Sequence, residues 1–212
     1  MTFAQTKSSR ALWTRRLAYR LVRLAAARRS GNKRRIAHWQ SQVAHARAMI
    51  RRRDEQIAKR QAARPLRAKA LDEAEKLLGV VEQGGNNRGP EVARIIRANG
   101  GIVGEPWCGD FVAYCYRRAG SNAVTRAWAS VYFLGVVSGL RNTTDPRPGD
   151  VVRFNFDHTG LFVRHVRPGV IETIEGNTGK RGAVSDSKTG GDGVYRKERP
   201  VYQVANYRRV LR

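Results

Sequence analysis

The sequence predicts an α+β protein in which helices come first and an antiparallel sheet follows, with a basic helical hairpin or coiled coil placed ahead of both. Three observations carry this reading. Apolar residues recur at helical spacing as far as Gly120, and short runs of β-branched and aromatic residues take over after the turn signal "PRPGD" at 146–150. The charge is also lopsided. Residues 1–70 hold 20 Lys and Arg against 2 Asp and Glu, which leaves 21 against 15 for residues 71–212.

A chain of 212 residues, 41% of them hydrophobic, can bury one good core and carry a smaller appendage. We therefore expect two modules, a basic helical appendage over 1–64 and one α+β domain over 65–212. A net charge of +24 implies an acidic polymer or surface as partner.

In the first module Trp13, Leu17, Leu21 and Leu24 form one stripe of an amphipathic helix from Leu12 to Arg29, with arginine over most of the other face. "SGN" at Ser30 to Asn32 breaks it. Ile36, Trp39, Val43, Ala46, Ile50 and Ile57 then recur in three- and four-residue steps, interrupted by Arg53, and the run ends before Pro65. Such a pair either folds back as a hairpin or dimerises. It reads as a solvated spacer or as a cationic module for anionic wall polymer, membrane or, less favoured, nucleic acid.

Beyond Pro65, "ALDEAEKLLGVVEQ" predicts a helix with Ala70, Leu71, Ala74, Leu77, Leu78 and Val81 on its apolar side. "GGNN" makes a loop, "GPEVARIIRANGG" a short helix, and "PWCGDFVAYCYRRAG" another that closes at Gly120. "VVRFNF", "HTGLFVRHV" and "VIETIEGN" predict strands with turns at Asp157, at Pro168 and Gly169, and over Gly176 to Gly179. A glycine-rich, exposed and mobile loop follows, then strands over Gly193 to Arg196 and Tyr202 to Val210.

The chemistry centres on two cysteines. Seven apart on one helix, they lie about 10 Å apart along its axis, too far for a disulfide. Cys108 falls in the first turn, where unpaired backbone N–H groups and the helix dipole favour a thiolate, and reads as a nucleophile. Cys115, two turns deeper beside Val112, reads as core. Of four histidines, His38 and His45 lie in the basic module. His158 opens a strand after the Asp157 turn, at an edge position from which a ring can reach a cleft. His165, on the opposite face by the strand's period of two, reads as surface. The partner that orients the ring is Glu175 or Asn177, either of which can accept from an imidazole N–H. Cysteine, then histidine, then carboxylate or amide is the order of papain-like hydrolases. No Cys/His cluster has zinc-ligand spacing and no acidic run reads as a calcium loop, so neither metal nor other cofactor is expected.

The runs "GVVEQGGNNRGPEVARIIRANGG", "PWCGDFVAYC", "PRPGDVVRF", "DHTGLFV" and "TIEGNTG" resemble the CHAP family, the cysteine- and histidine-dependent amidohydrolases and peptidases of bacterial peptidoglycan. The resemblance spans roughly 71–210 and leaves the first 64 residues uncovered. It implies a papain-like CHAP domain with Cys108 as nucleophile, His158 as base, Glu175 as orienting acid and Asn177 as adjunct or alternative. The family's small residues after the cysteine are here Gly109 and Asp110. Trp107, Glu82 and Asn87 are implied at the substrate cleft, Trp107 as its wall, with Asn86 beside them; Trp128 is either wall or core. An NlpC/P60-type peptidase shares the cysteine and histidine but usually takes a second histidine as third member, so Glu175 favours CHAP.

The expected function is hydrolysis of a stem-peptide amide, as an N-acetylmuramoyl-L-alanine amidase or an endopeptidase, in a phage endolysin, a virion-associated lysin or a bacterial autolysin. The alternative is a non-catalytic basic virion or nucleic-acid-binding protein with a degenerate domain. "ALWTRRLAYRLVRLAAARR" is broken by arginine too often for a signal-peptide core or a membrane span. The expectation is a protein made in the cytoplasm without an ordinary signal peptide that acts on the wall or travels in the virion.

Overall fold

The computed structural model describes residues 3–124, 140–179 and 192–211. The chain forms two compact units, Met1–Arg64 and Pro65–Arg212.

The first unit is a hairpin of two long helices, α1 (Phe3–Arg29) and α2 (Lys33–Ala62). Gly31 turns the chain at φ 66°, and the Asn32 side chain caps α2 by accepting from the Arg35 N–H at 3.0 Å. The helices run antiparallel. Trp13 meets His45 edge to face at 5.3 Å, Tyr19 meets Trp39 at 6.2 Å, and Arg20 Nη1 donates to the Gln42 carbonyl at 2.9 Å. The chain thus folds back on itself. α1 begins at Phe3, more than two turns before the expected start, since Arg10 pairs with Asp54 and Arg60 Nη1 donates to Thr6 Oγ1. These tertiary partners lie too far along the chain for apolar spacing to reveal. Leu24, Ala27, Val43 and Ala46 are buried, but Leu21, expected on the packed stripe, is exposed.

In the second unit α3 (Leu66–Lys76), α4 (Pro90–Arg97) and α5 (Cys108–Ala119) precede all six strands of the sheet. α3 stops earlier than expected, because the chain turns at Gly79 (φ 85°) and Val81 forms an antiparallel bridge to Gly193. Leu77 still reaches the core, whereas Val81 is exposed. Pro90 occupies the first turn of α4, and Gly120 closes α5 in the left-handed conformation.

The strands are β1 (Leu140–Thr143), β2 (Val151–Phe154), β3 (Thr159–Arg167), β4 (Val170–Thr178), β5 (Gly193–Pro200) and β6 (Val204–Val210). They form one sheet in the order β1-β6-β2-β3-β4-β5, antiparallel at every pairing. β1 was not foreseen; four residues, "LRNT", are too short to show alternation. Trp128 and the body of the glycine-rich loop fall outside the described residues.

The helices cover one face of the sheet. Ile95, Phe111, Cys115, Leu161 and Ile174 interlock there without solvent exposure, each burial stabilising by about 1.5–3 kcal/mol. Val152, Phe154, Phe162 and Ile171 make a second cluster. Among the described residues no helix is long and apolar enough to cross a membrane.

Candidate active site

Cys108 is the first residue of α5, and the N-cap residue, Trp107, supplies no capping side chain. The first-turn amides of an α-helix have no intrahelical acceptor, so their positive end lies beside the thiol. Cys115 is fully buried, and burial first, then Glu73, pushes its thiol well above the ordinary range. It is a core residue.

His158 sits at the mouth of β3, which is interior to the sheet between β2 and β4, so the edge position expected for it is corrected: the ring is 2% exposed. A tight turn brings it there, with the His158 amide donating to the Phe156 carbonyl at 2.6 Å and the Phe154 amide to the His158 carbonyl at 3.2 Å. The imidazole stacks on Phe154 at 5.6 Å and Phe156 at 6.0 Å. His165 lies exposed at the other end of the strand, but the parity expected to set it on the opposite face does not hold: the β3–β4 register slips between Phe162 and Arg164, and the His165 ring meets Phe162 at 5.2 Å.

Of the two acceptors left open by the sequence, Glu175 is the one bonded to the ring: Nε2 lies 2.9 Å from Oε2. Two glycines make this approach possible. A Cβ on Gly160 would stand 2.7 Å from Glu175 Cγ, and one on Gly176 would stand 2.5 Å from Phe111 Cβ and 2.9 Å from Trp107 Cζ3. Backbone contact at Gly176 is what seats β4 against the start of α5. Asn177, buried beside it, takes φ 54° where the β4–β5 register slips, a conformation asparagine tolerates.

The charges are strongly coupled. Burial pulls the His158 ring down, but the Cys108 thiol and then the Glu175 carboxylate outweigh it, and its pKa is raised to about 9. Burial likewise pushes Glu175 up, and Arg199 first, His158 second, reverse this and hold the carboxyl far below the usual range. Nδ1 of His158 is buried without a hydrogen-bond partner. The thiol is thus near enough to perturb the ring.

Sequence reasoning missed Arg199 and Thr173. Arg199 grips Glu175 with two bonds, Nε to Oε1 at 2.9 Å and Nη2 to Oε2 at 2.6 Å, and Thr173 Oγ1 donates to Oε1 at 2.5 Å. The expected strand over Gly193 to Arg196 stops short of Arg199, and only the alternation of Lys197 and Arg199 inward against Arg196 and Glu198 outward could have flagged it.

The three residues expected at the substrate cleft are placed differently. Trp107 is fully buried in the main core, which corrects its expected role as cleft wall. Its indole N–H donates to Glu82 Oε1 at 2.9 Å, and Glu82 Oε2 accepts from the Asn87 amide at 2.7 Å. Asn87 is itself buried at φ 57° and donates through Nδ2 to the Gly104 carbonyl. In this arrangement Glu82 and Asn87 tie the loop over 82–89 to Trp107. Asn86 is exposed. Among the described residues no cluster of three or more His, Cys, Asp or Glu is arranged to hold a metal ion.

A thiol at a helix start, a buried imidazole beside it and a carboxylate fixing the far ring nitrogen make a unit that can exchange a proton between sulfur and nitrogen. Residues 100–177 match the family model described as CHAP domain. The second unit carries a CHAP domain. The matched CHAP segment contains Cys108, His158, Glu175 and Asn177 and leaves out Glu82, Asn87 and Arg199. CHAP domains are, as a family, cysteine- and histidine-dependent amidohydrolases or peptidases, and their substrate is peptidoglycan. No curated protein and no solved structure matches the chain.

Proposed function

We propose that this CHAP domain cleaves an amide of the peptidoglycan stem peptide with Cys108 as nucleophile, His158 as proton carrier and Glu175 as the group that holds the ring. The observation that supports it most is the buried His158–Glu175 contact at 2.9 Å, which commits Nε2 and leaves Nδ1 for the sulfur. The Cys108 thiolate attacks the carbonyl carbon, the carbonyl electrons move onto oxygen, and the oxyanion lies against the first-turn N–H of Cys108. His158, as imidazolium, gives its proton to the departing amine while the carbonyl re-forms as a thioester. Water, losing a proton to the neutral ring, then opens the acyl-enzyme. Asn177 has its place at the site as the residue that turns β4 beyond Glu175.

The setting we propose is lysis of a bacterial wall, as an endolysin, a virion-borne lysin or an autolysin. The basic hairpin would hold the enzyme near an anionic wall polymer or membrane surface.

The deciding experiment is hydrolysis of purified peptidoglycan by the native protein and by Cys108→Ser and Cys115→Ser variants, with new amino groups identified by mass spectrometry. Activity should be lost in the first variant and kept in the second, which loses about 1–3 kcal/mol of stability by burying a hydroxyl. A released L-alanine amine identifies an amidase, and any other amine an endopeptidase. Equal activity in native protein and Cys108→Ser would sink the proposal.

A second reading has an observation of its own. A groove of about 550 Å³ in the hairpin is lined by Arg15, Arg16, Tyr19, Arg20 and Trp39, a set suited to phosphates and stacked bases. If the protein bound nucleic acid tightly at physiological salt and released nothing from any wall, it would be a nucleic-acid-binding protein with an idle CHAP domain.

A further inference from the structure

The Glu175 carboxylate is saturated. Oε1 accepts from Thr173 Oγ1 and Arg199 Nε, and Oε2 accepts from Arg199 Nη2 and lies 2.9 Å from His158 Nε2. Both partners of the ion pair are sealed off, Arg199 at 3% exposure and Glu175 at 0%. The guanidinium plane is itself held, 5.2 Å above Phe154 and 5.6 Å above Phe156, the two rings on which His158 stacks. Arg199 therefore touches the carboxylate and both aromatic rings that hold the imidazole.

We propose that Arg199 is a positioning residue of the hydrolytic site: its two-pronged grip keeps the Glu175 carboxylate ionised and in the one orientation that presents Oε2 to His158 and so turns Nδ1 toward Cys108. The catalytic meaning of this rests on the hydrolase reading above; the grip on Glu175 does not. A lone buried carboxylate prefers its proton, and burial is the largest influence on Glu175. Arg199 is the first influence opposing it, followed by His158. Other groups facing this centre are Cys108 from α5, Lys197, whose ammonium donates to the Gly179 carbonyl at 2.8 Å, and Tyr195, which pairs with Glu175 across β4 and β5. Lys197 supplies charge but no bond to the carboxylate.

The test uses the full chain with 13C-labelled glutamate carboxyls, the Glu175 signal being assigned by its loss in Glu175→Gln. In native protein this signal should stay flat from pH 4 to 8. In Arg199→Met it should titrate inside that window, and peptidoglycan hydrolysis should fall at least ten-fold at pH 5, less at pH 8, with KM within two-fold. Arg199→Lys keeps the charge but not the fork. Its carboxylate should stay ionised while kcat drops several-fold at unchanged KM, and this variant carries the test should the Met variant not fold. A Glu175 signal that stays flat in Arg199→Met, or full kcat in Arg199→Lys, would overturn the proposal. If native protein hydrolyses no wall at all, the hydrolase reading fails while the carboxyl titration still decides whether Arg199 holds Glu175.

Discussion

His158 and Glu175 are displaced in opposite directions by the same contact, and each displacement has its own pH signature. The ring's pKa is raised to about 9, whereas an unperturbed imidazole titrates near 6.5. Its contribution to stability is thus fully present below about pH 6.5 and is lost as pH rises through about 9. Glu175, held down, contributes above the ordinary carboxylate range and loses that contribution only in strong acid. Thermal unfolding of the native protein should therefore show Tm falling between pH 7 and 10, and His158→Ala should flatten that slope. Hydrolysis should fall over the same alkaline span, because a neutral ring has no proton to give the leaving amine. A Tm indifferent to pH across this range would count against the ring being protonated in the folded state. At this scale the sequence was informative. Helix position marked Cys108 over Cys115, but strand parity was no guide to His165, because the bulge after Phe162 resets the alternation. Arg199 stayed hidden because inward and outward charges look alike in "YRKERP" until β4 is beside them.

At the level of elements, the site depends on β4 meeting the first turn of α5. Gly176 makes that contact against Phe111 and Trp107, and Gly176→Ala would put a methyl where 2.5 Å is available. The overpacking should cost about 1–3 kcal/mol and lower kcat as well, by moving Glu175 with its strand. Trp107 is braced from the other side by Glu82. In Glu82→Ala the indole N–H and the Asn87 amide lose their acceptor, which should cost about 1–3 kcal/mol for each donor left buried. Since Trp107 has no exposed surface, KM should change less than kcat or Tm; a large rise in KM with unchanged Tm would restore the substrate-contact role expected for these residues. The sequence placed all three on one loop and helix start. It did not show that the tryptophan faces inward, because an aromatic before a nucleophile suits a wall and a core equally well.

Across the whole molecule the two units differ in what holds them. The hairpin buries few side chains, chiefly Thr6, Leu24, Ala27, Val43 and Ala46, and it carries 18 Lys and Arg against Asp54 and Glu55. A unit so thinly packed and so repulsive should melt first, with helical circular dichroism lost at lower temperature than hydrolytic activity. One coincident transition would contradict this. If the hairpin holds an anionic wall polymer, removing residues 1–64 should weaken binding to cells and its salt dependence while leaving hydrolysis of soluble fragments intact. Unchanged cell binding would rule that role out.

What the sequence by itself determined was whatever is written in local spacing. This covers the α+β order, the break between two helices at Ser30 to Asn32, the Gly120 stop, and Cys108 and His158 as candidates, with Glu175 and Asn177 left as alternative partners. These rest on periodicity, turn chemistry and helix polarity, all of which act over a few residues. Only the tertiary structure decided that the helices fold back as a hairpin, that α3 ends so that Val81 can bridge to Gly193, that His158 is interior, and that Arg199 clamps Glu175. Each of these depends on which distant strand or helix arrives alongside, and a free energy of burial or pairing between residues tens of positions apart leaves no mark on the spacing of either one.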